Sequence, residues 1–214
     1  MPGLIDDWLH RLQRGYSARG VGANVLWPNT PLDGIQTQIE KFQGASDLKW
    51  VDPRSRPYKI EMAIQQMIAK KLLPRTFAIL DLCCGDALVL AHIARKFPDC
   101  RPYGIDIHKF RTHDNDKLSI HYIPLQEIIS SEPPVQIDIV MMLNTFRGWE
   151  SARLKPEEAE LPEWTEEWIG LYAKRAILTA THRQIASLKG KGWTVAEIGP
   201  GEQGSRLTWA WRPK

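Results

Sequence analysis

Two carboxylates and a glycine turn hold the clearest chemistry in this chain. In Ile79-Leu80-Asp81-Leu82-Cys83-Cys84-Gly85-Asp86-Ala87 an apolar run carries an acid into a tight turn, and Tyr103-Gly104-Ile105-Asp106-Ile107 brings a second apolar run to a second acid. Backbone N–H groups in a turn that opens a helix carry partial positive charge and suit an anionic group. Asp106 lies 25 residues after Asp81, close to the roughly 20-residue spacing at which an acid reaches ribose hydroxyls. Together these features describe a nucleoside cofactor site. Taken singly, each has an ordinary alternative: Asp86 as a helix cap, Asp106 as an exposed turn residue.

The glycine pattern narrows the cofactor. A dinucleotide site wants G-x-G-x-x-G, but those places hold Cys83, Gly85 and Leu88, and the chain has no G-x-x-x-x-G-K-[ST] phosphate loop. The amino-acid carboxylate of S-adenosylmethionine needs only one or two N–H donors and tolerates a wider turn. On Asp81 to Gly85 the chain resembles the class I S-adenosylmethionine-dependent methyltransferases, whose first motif, [DE]-x-G-x-G-x-G, often drifts to D-L-C-C-G. The resemblance runs from about Tyr58 to Lys214 as a succession of elements. It implies S-adenosylmethionine as cofactor, with Asp81, Cys83 and Gly85 at its methionine end and Asp106 on its ribose. Asp86, Ile107, Gln126 and Asn144 complete the expected cofactor-binding set. Cys83 and Ala87 depart from glycine, and their side chains should narrow the turn. Gln126 replaces the acid that the family places near the adenine amine, and its amide oxygen still accepts a hydrogen bond.

Open α/β sheets bind ligands beyond the carboxyl ends of their strands, so the acceptor belongs after strands four and five. Asn144 and Arg147 follow the fourth, and His182 follows the fifth. These three are the catalytic candidates. An imidazole takes up a proton near neutrality, which suits a base for a hydroxyl or ammonium acceptor, although a surface histidine at a helix start has the same signature. Asn144 offers an acceptor to an amine, but Thr145, Phe146 and Arg147 match [DN]-P-P-[YF] poorly. Arg147 suits an acidic substrate group or a surface pair with Glu150. The acid-rich stretch from Glu157 to Trp168 would repel a phosphate backbone, and Trp149, Trp164 and Trp168 offer faces to a cation or sugar. The alternative is that its acids favour a helix start while its tryptophans are core.

Positioning such a site requires parallel strands with helices between them. Phe77 to Leu82, Ile137 to Leu143 and Arg175 to Ala180 are short, nearly continuous apolar runs suited to buried parallel strands, with a third strand near Ser119 to Ile123. Ala87 to Phe97 carries the helical rhythm. Helices are expected at Tyr58 to Leu73, Gln126 to Ile129, Thr165 to Lys174 and Arg183 to Leu188. Trp193 to Ile198 and Arg206 to Trp211 have no helix between them, so they form an antiparallel pair. The expected fold is α/β: a three-layer Rossmann-like methyltransferase sheet, mostly parallel with a C-terminal antiparallel hairpin. Residues 1–57, rich in Gly, Pro and Trp, form an irregular N-terminal lid or cap with short helices at Leu4 to Leu12 and Gly34 to Phe42, and 58–214 form the cofactor-binding domain. A packing extension is the alternative role for that segment.

With 214 residues and 43% hydrophobic content, the chain can bury a core of its own. Its net charge of +3 lacks the basic density of a dedicated nucleic-acid binder. Three cysteines, two of them adjacent, make no disulfide framework and point to a reducing, cytoplasmic setting. No leader and no apolar run of membrane length is evident. Cys83 and Cys84 have no His/Cys companions at zinc spacing, so no metal site is expected. The expected function is methyl transfer to an oxygen or nitrogen of a small polar molecule. The alternatives are an RNA or DNA methyltransferase using Lys70-Lys71, Arg54, Arg56, Lys109, Arg111, Lys189 and Lys191, or an inactive binding module with this fold. Oligomeric state is not encoded in any motif.

Overall fold

The computed structural model describes residues 3–18, 56–85, 87–106, 118–143, 163–200 and 206–212. Strands β1 (Phe77–Leu82), β2 (Cys100–Asp106), β3 (Ser119–Tyr122), β4 (Ile139–Met142), β5 (Arg175–Ala180), β6 (Thr194–Pro200) and β7 (Arg206–Trp211) form one sheet in the order β3-β2-β1-β4-β5-β7-β6. The first five run parallel, and β7 is antiparallel to both β5 and β6. The hairpin is therefore folded back, with β7 inserted between β5 and β6. Both β1 and β5 span the expected residues. β4 is shorter than its apolar run, because Ile137 leaves the ladder for an isolated bridge to Ala173.

Period-two alternation sorts the strand side chains onto two helical layers. Leu80, Leu82, Ile105, Val140, Met142, Ala176 and Leu178 share one core with α1 (Leu4–Ala18), α4 (Leu125–Ile129), α5 (Glu163–Tyr172) and α6 (His182–Gly190). Phe77, Ile79, Ile139, Met141, Ile177, Leu207 and Trp209 share the other with α2 (Arg56–Ala69) and α3 (Leu88–Lys96). Leu207, Trp209 and Trp211 occupy one face as the alternation requires, and the two indoles stack with centroids 3.9 Å apart. In the helical layer, α2 and α3 are joined by a buried pair, His92 Nε2 to Glu61 Oε2 at 2.7 Å.

Of the expected N-terminal cap, α1 is described; the helix expected at Gly34 to Phe42 lies outside the described residues. It runs to Ala18 rather than Leu12, since Tyr16 extends the buried stripe of Ile5, Trp8 and Leu9 by another two turns. It docks against the edge strand β3, where Gln13 Oε1 accepts from the Tyr122 N–H at 3.0 Å. That contact covers part of an edge that no other described strand pairs with. α6 begins one residue earlier than its pattern suggests. Thr181 accepts from the Gln184 N–H, and Gln184 Oε1 accepts from the Thr181 N–H, a reciprocal cap.

Gly104 in β2 is required by close packing. A Cβ there would stand 2.7 Å from Ile120 Cδ1, 2.8 Å from Cys84 Sγ and 2.9 Å from Leu90 Cδ1. Three atoms cannot all yield without shifting β3, the turn and α3 together. We expect Gly104→Ala to lower folding stability by about 1–3 kcal/mol, measured as a reduced urea midpoint with unchanged m-value.

Candidate functional site

The carboxyl ends of β1 and β2 converge on one turn. Cys84 N–H donates to the Ile105 carbonyl at 2.8 Å, extending the ladder one residue past β1, and Gly85 N–H donates to Asp106 Oδ2 at 2.9 Å. The sheet register, pairing Leu82 with Ile105, brings the two stretches to this point. Asp81 and Asp106 are both buried, at 4% and 7% exposure, and their charges reach the Cys84 thiol.

The turn has an unusual backbone. Cys83, Gly85 and Ala87 all have left-handed φ, at 65°, 58° and 59°. These are the positions of the three glycines in the pattern that Asp81 opens. The glycine conformation thus persists where two glycines do not, at a cost of about 1–2 kcal/mol for each L residue so held. Ala87 offsets part of this by full burial against the α2–α3 layer. Beyond Gly85, a built Cβ would meet nothing within 4 Å among the described residues, so they leave the turn open on that side. Ala87, which precedes α3, gives its amino end no side-chain cap, and among the described residues that end is suited to an anionic group.

Sequence spacing did not single out Tyr122 or Gly104. Tyr122 pairs with Asp106 across β2 and β3. Its hydroxyl is pushed above its ordinary range by burial first, then by the Cys84 and Asp106 charges. The alternation that places Ile120 and Tyr122 on the turn side of β3 was the available signal, visible only once β3 was known to flank β2. Cys84 is likewise raised well above the usual thiol value, by burial first and then by Asp81, Asp106 and Cys83. It is a packed neutral thiol rather than a nucleophile.

Other expected site residues are distributed along the same sheet edge. Gln126 is exposed in the first turn of α4, following β3. His182 is exposed at the first position of α6, following β5, which lies two strands from β1. Asp86, Ile107, Asn144 and Arg147 lie outside the described residues, as do Trp149 and residues 157–162. In the described part of the acid-rich stretch, Trp168 is core and donates to the Ser131 carbonyl at 3.0 Å. Glu166 is buried too, taking Lys191 Nζ at 2.9 Å and Ser187 Oγ at 3.2 Å. These two side chains join α5 to the fold and do not line an acceptor mouth.

The left-handed φ at Cys83 permits glycine and penalises branching. Cys83→Gly should therefore hold or raise folding stability, while Cys83→Val lowers it by about 1–3 kcal/mol, as chemical denaturation will show. Buried thiols add an alkaline limit. Cys100 is pushed up to about 12 by burial and then by the Asp138 charge, so its neutral form is favoured in the fold. A raised native value contributes stability in full below the unfolded thiol's range and loses it as pH climbs through the native value. Melting temperature should fall from about pH 9 towards 12, and Cys100→Ala should flatten that decline.

No family model matches the chain, and neither does any curated protein. Solved structures do. Magnesium protoporphyrin IX methyltransferase from Synechocystis PCC 6803, crystallised with bound SAM, superposes with a TM-score of 0.50 at 16% identity, covering 86% of this chain and 100% of that one. WbdD, in a co-crystal with the kinase inhibitor LY294002, also gives 0.50 at 14% identity, over 75% of this chain and 41% of that one. In strand order and in its inserted antiparallel β7, this chain has the class I methyltransferase fold.

Proposed function

We propose that this chain is an S-adenosylmethionine-dependent methyltransferase acting on an oxygen or nitrogen of a small polar molecule. The observation that carries the proposal is the Asp106 carboxylate, fixed by the Gly85 N–H at the mouth of an open turn. One carboxylate oxygen holds the turn. The group is thereby oriented beside it, where acceptance from ribose hydroxyls requires it. Asp81, Cys83 and Gly85 would hold the methionine end and Gln126 the adenine side. Asp86, Ile107 and Asn144 complete that proposed set. When bound, the cofactor supplies an activated methyl group. The bound cofactor in the Synechocystis neighbour supports the assignment.

The acceptor is assigned to the edge beyond β4 and β5. There His182 is exposed and is the proposed base for a hydroxyl or ammonium acceptor, and Asn144 and Arg147 are the proposed acceptor contacts that follow β4 in sequence. The four described lysines of the basic set considered for nucleic acid favour a small molecule instead. Lys70 and Lys71 lead into the start of β1, and Lys189 and Lys191 precede the start of β6. Both starts lie at the amino edge of the parallel sheet, opposite the turn, and Lys191 is engaged by Glu166.

Calorimetry decides between a cofactor-using enzyme and an inert copy of the fold. The wild-type chain should bind S-adenosylmethionine with one site, Asp106→Ala should bind at least tenfold more weakly (about 1.4 kcal/mol), and His182→Ala should bind normally but turn over slowly. Absence of heat and of any thermal shift at millimolar cofactor would refute the proposal.

A further inference from the structure

A second cluster lies on the opposite face of the sheet edge, against α1. Asp6 and His10, one helical turn apart, share a face of α1, and β3 presents His121 to them. One ligating atom from each lies within 4.8 Å of the other two. His10 Nε2 stands 3.4 Å from Asp6 Oδ2, and His121 Nε2 stands 3.4 Å from Asp6 Oδ1. Zinc bound at about 2.0–2.1 Å by nitrogen and oxygen sets tetrahedral ligands about 3.3 Å apart, so each imidazole already stands at ligand spacing from one of the two carboxylate oxygens, and a set now within 4.8 Å needs only a small closure to share one ion. The two imidazole rings meet edge-on at 4.7 Å.

The surroundings also suit a cation. His121 is buried at 1% exposure, with its polar contacts confined to the Nε2 side facing α1: its Nδ1 has no hydrogen-bond partner among the described residues. Ser119 Oγ donates to Asp6 Oδ1 and lies 2.9 Å from His121 Nε2, which fixes the carboxylate's orientation as an outer partner would. His10, with a side chain 57% exposed, opens onto a surface groove of about 340 Å³ that it lines with Asp7, Arg11 and Arg14. An ion would enter there.

We propose that Asp6, His10 and His121 form a zinc site that fastens α1 to the edge strand β3, with a fourth position facing the groove and open to water. Two imidazoles and a carboxylate select a borderline-soft ion over magnesium or calcium, which favour all-oxygen shells. The site stands apart from the cofactor turn and is independent of methyl transfer. Sequence spacing concealed it because His121 lies more than a hundred residues from Asp6 and His10.

The test uses the full chain, stripped with EDTA and dialysed, then titrated with zinc chloride by calorimetry and with cobalt chloride by visible absorption. The expected result is one ion per chain, a raised melting temperature and the intense absorption of four-coordinate cobalt. His10→Ala removes an exposed ligand and should keep the circular dichroism of the fold while weakening zinc at least tenfold. His121→Asn should weaken it further. Failure to saturate with either metal, or a His10→Ala protein that binds zinc as wild type does, overturns the proposal and leaves the cluster as a hydrogen-bonded tie. Should His10→Ala lose the native spectrum, His10→Gln takes its place under the same criterion.

Discussion

The hydrogen bond between the Gly85 N–H and the Asp106 carboxylate is the constraint on which the rest of the turn depends. It locks the end of β2 to the turn after β1 and consumes one donor of that turn within the protein. Such a bond requires Asp106 to stand just past the end of β1, within side-chain reach of the turn, which the β1–β2 register provides by pairing Leu82 with Ile105. It also requires a chain that reverses sharply enough to expose the Gly85 N–H, which three left-handed residues provide. Glycine does this at little steric cost; cysteine and alanine do it only where packing outweighs the strain. Ala87 and Cys83 are both packed against the core.

The turn is supported from below by residues with no chemical role. Gly104 lets the Cys84 thiol, Ile120 and Leu90 meet over β2. That packing explains why a thiol between two carboxylates stays neutral: burial is the largest cause and the acids add to it. The buried Glu61–His92 pair then fixes α2 against α3. A pair of this kind contributes little net stability, but losing one partner strands the other in the core. Helix α3, whose amino end opens at the turn, is thus held along its length as well as at its start.

At the sheet's other limit the same logic serves a different purpose. β3 is an edge strand, and α1 covers it through Gln13, Asp6 and a buried apolar stripe. The polar cluster of Asp6, His10, Ser119 and His121 is a product of that docking. His121 faces α1 while its neighbours Ile120 and Tyr122 face the turn, so a four-residue strand separates two chemically distinct surfaces.

The sequence by itself determined the parallel strands, the turn and the acid that meets it. Short apolar runs bounded by Gly, Pro and charge can be buried only as inner strands, and Asp81, Gly85 and Asp106 sit at their ends by local spacing. Its helix limits were less secure at α1 and α6, because a capping threonine and an isolated buried tyrosine outweigh the apolar rhythm near a terminus. What only the tertiary structure decided depends on contacts between distant segments. These are the insertion of β7 between β5 and β6, the inward turn of Glu166, the left-handed backbone kept at Cys83 and Ala87, and the meeting of Asp6 and His10 with His121. Local pattern encodes which face of an element is apolar, whereas partner choice follows from strand order and helix docking, which no neighbouring residue records.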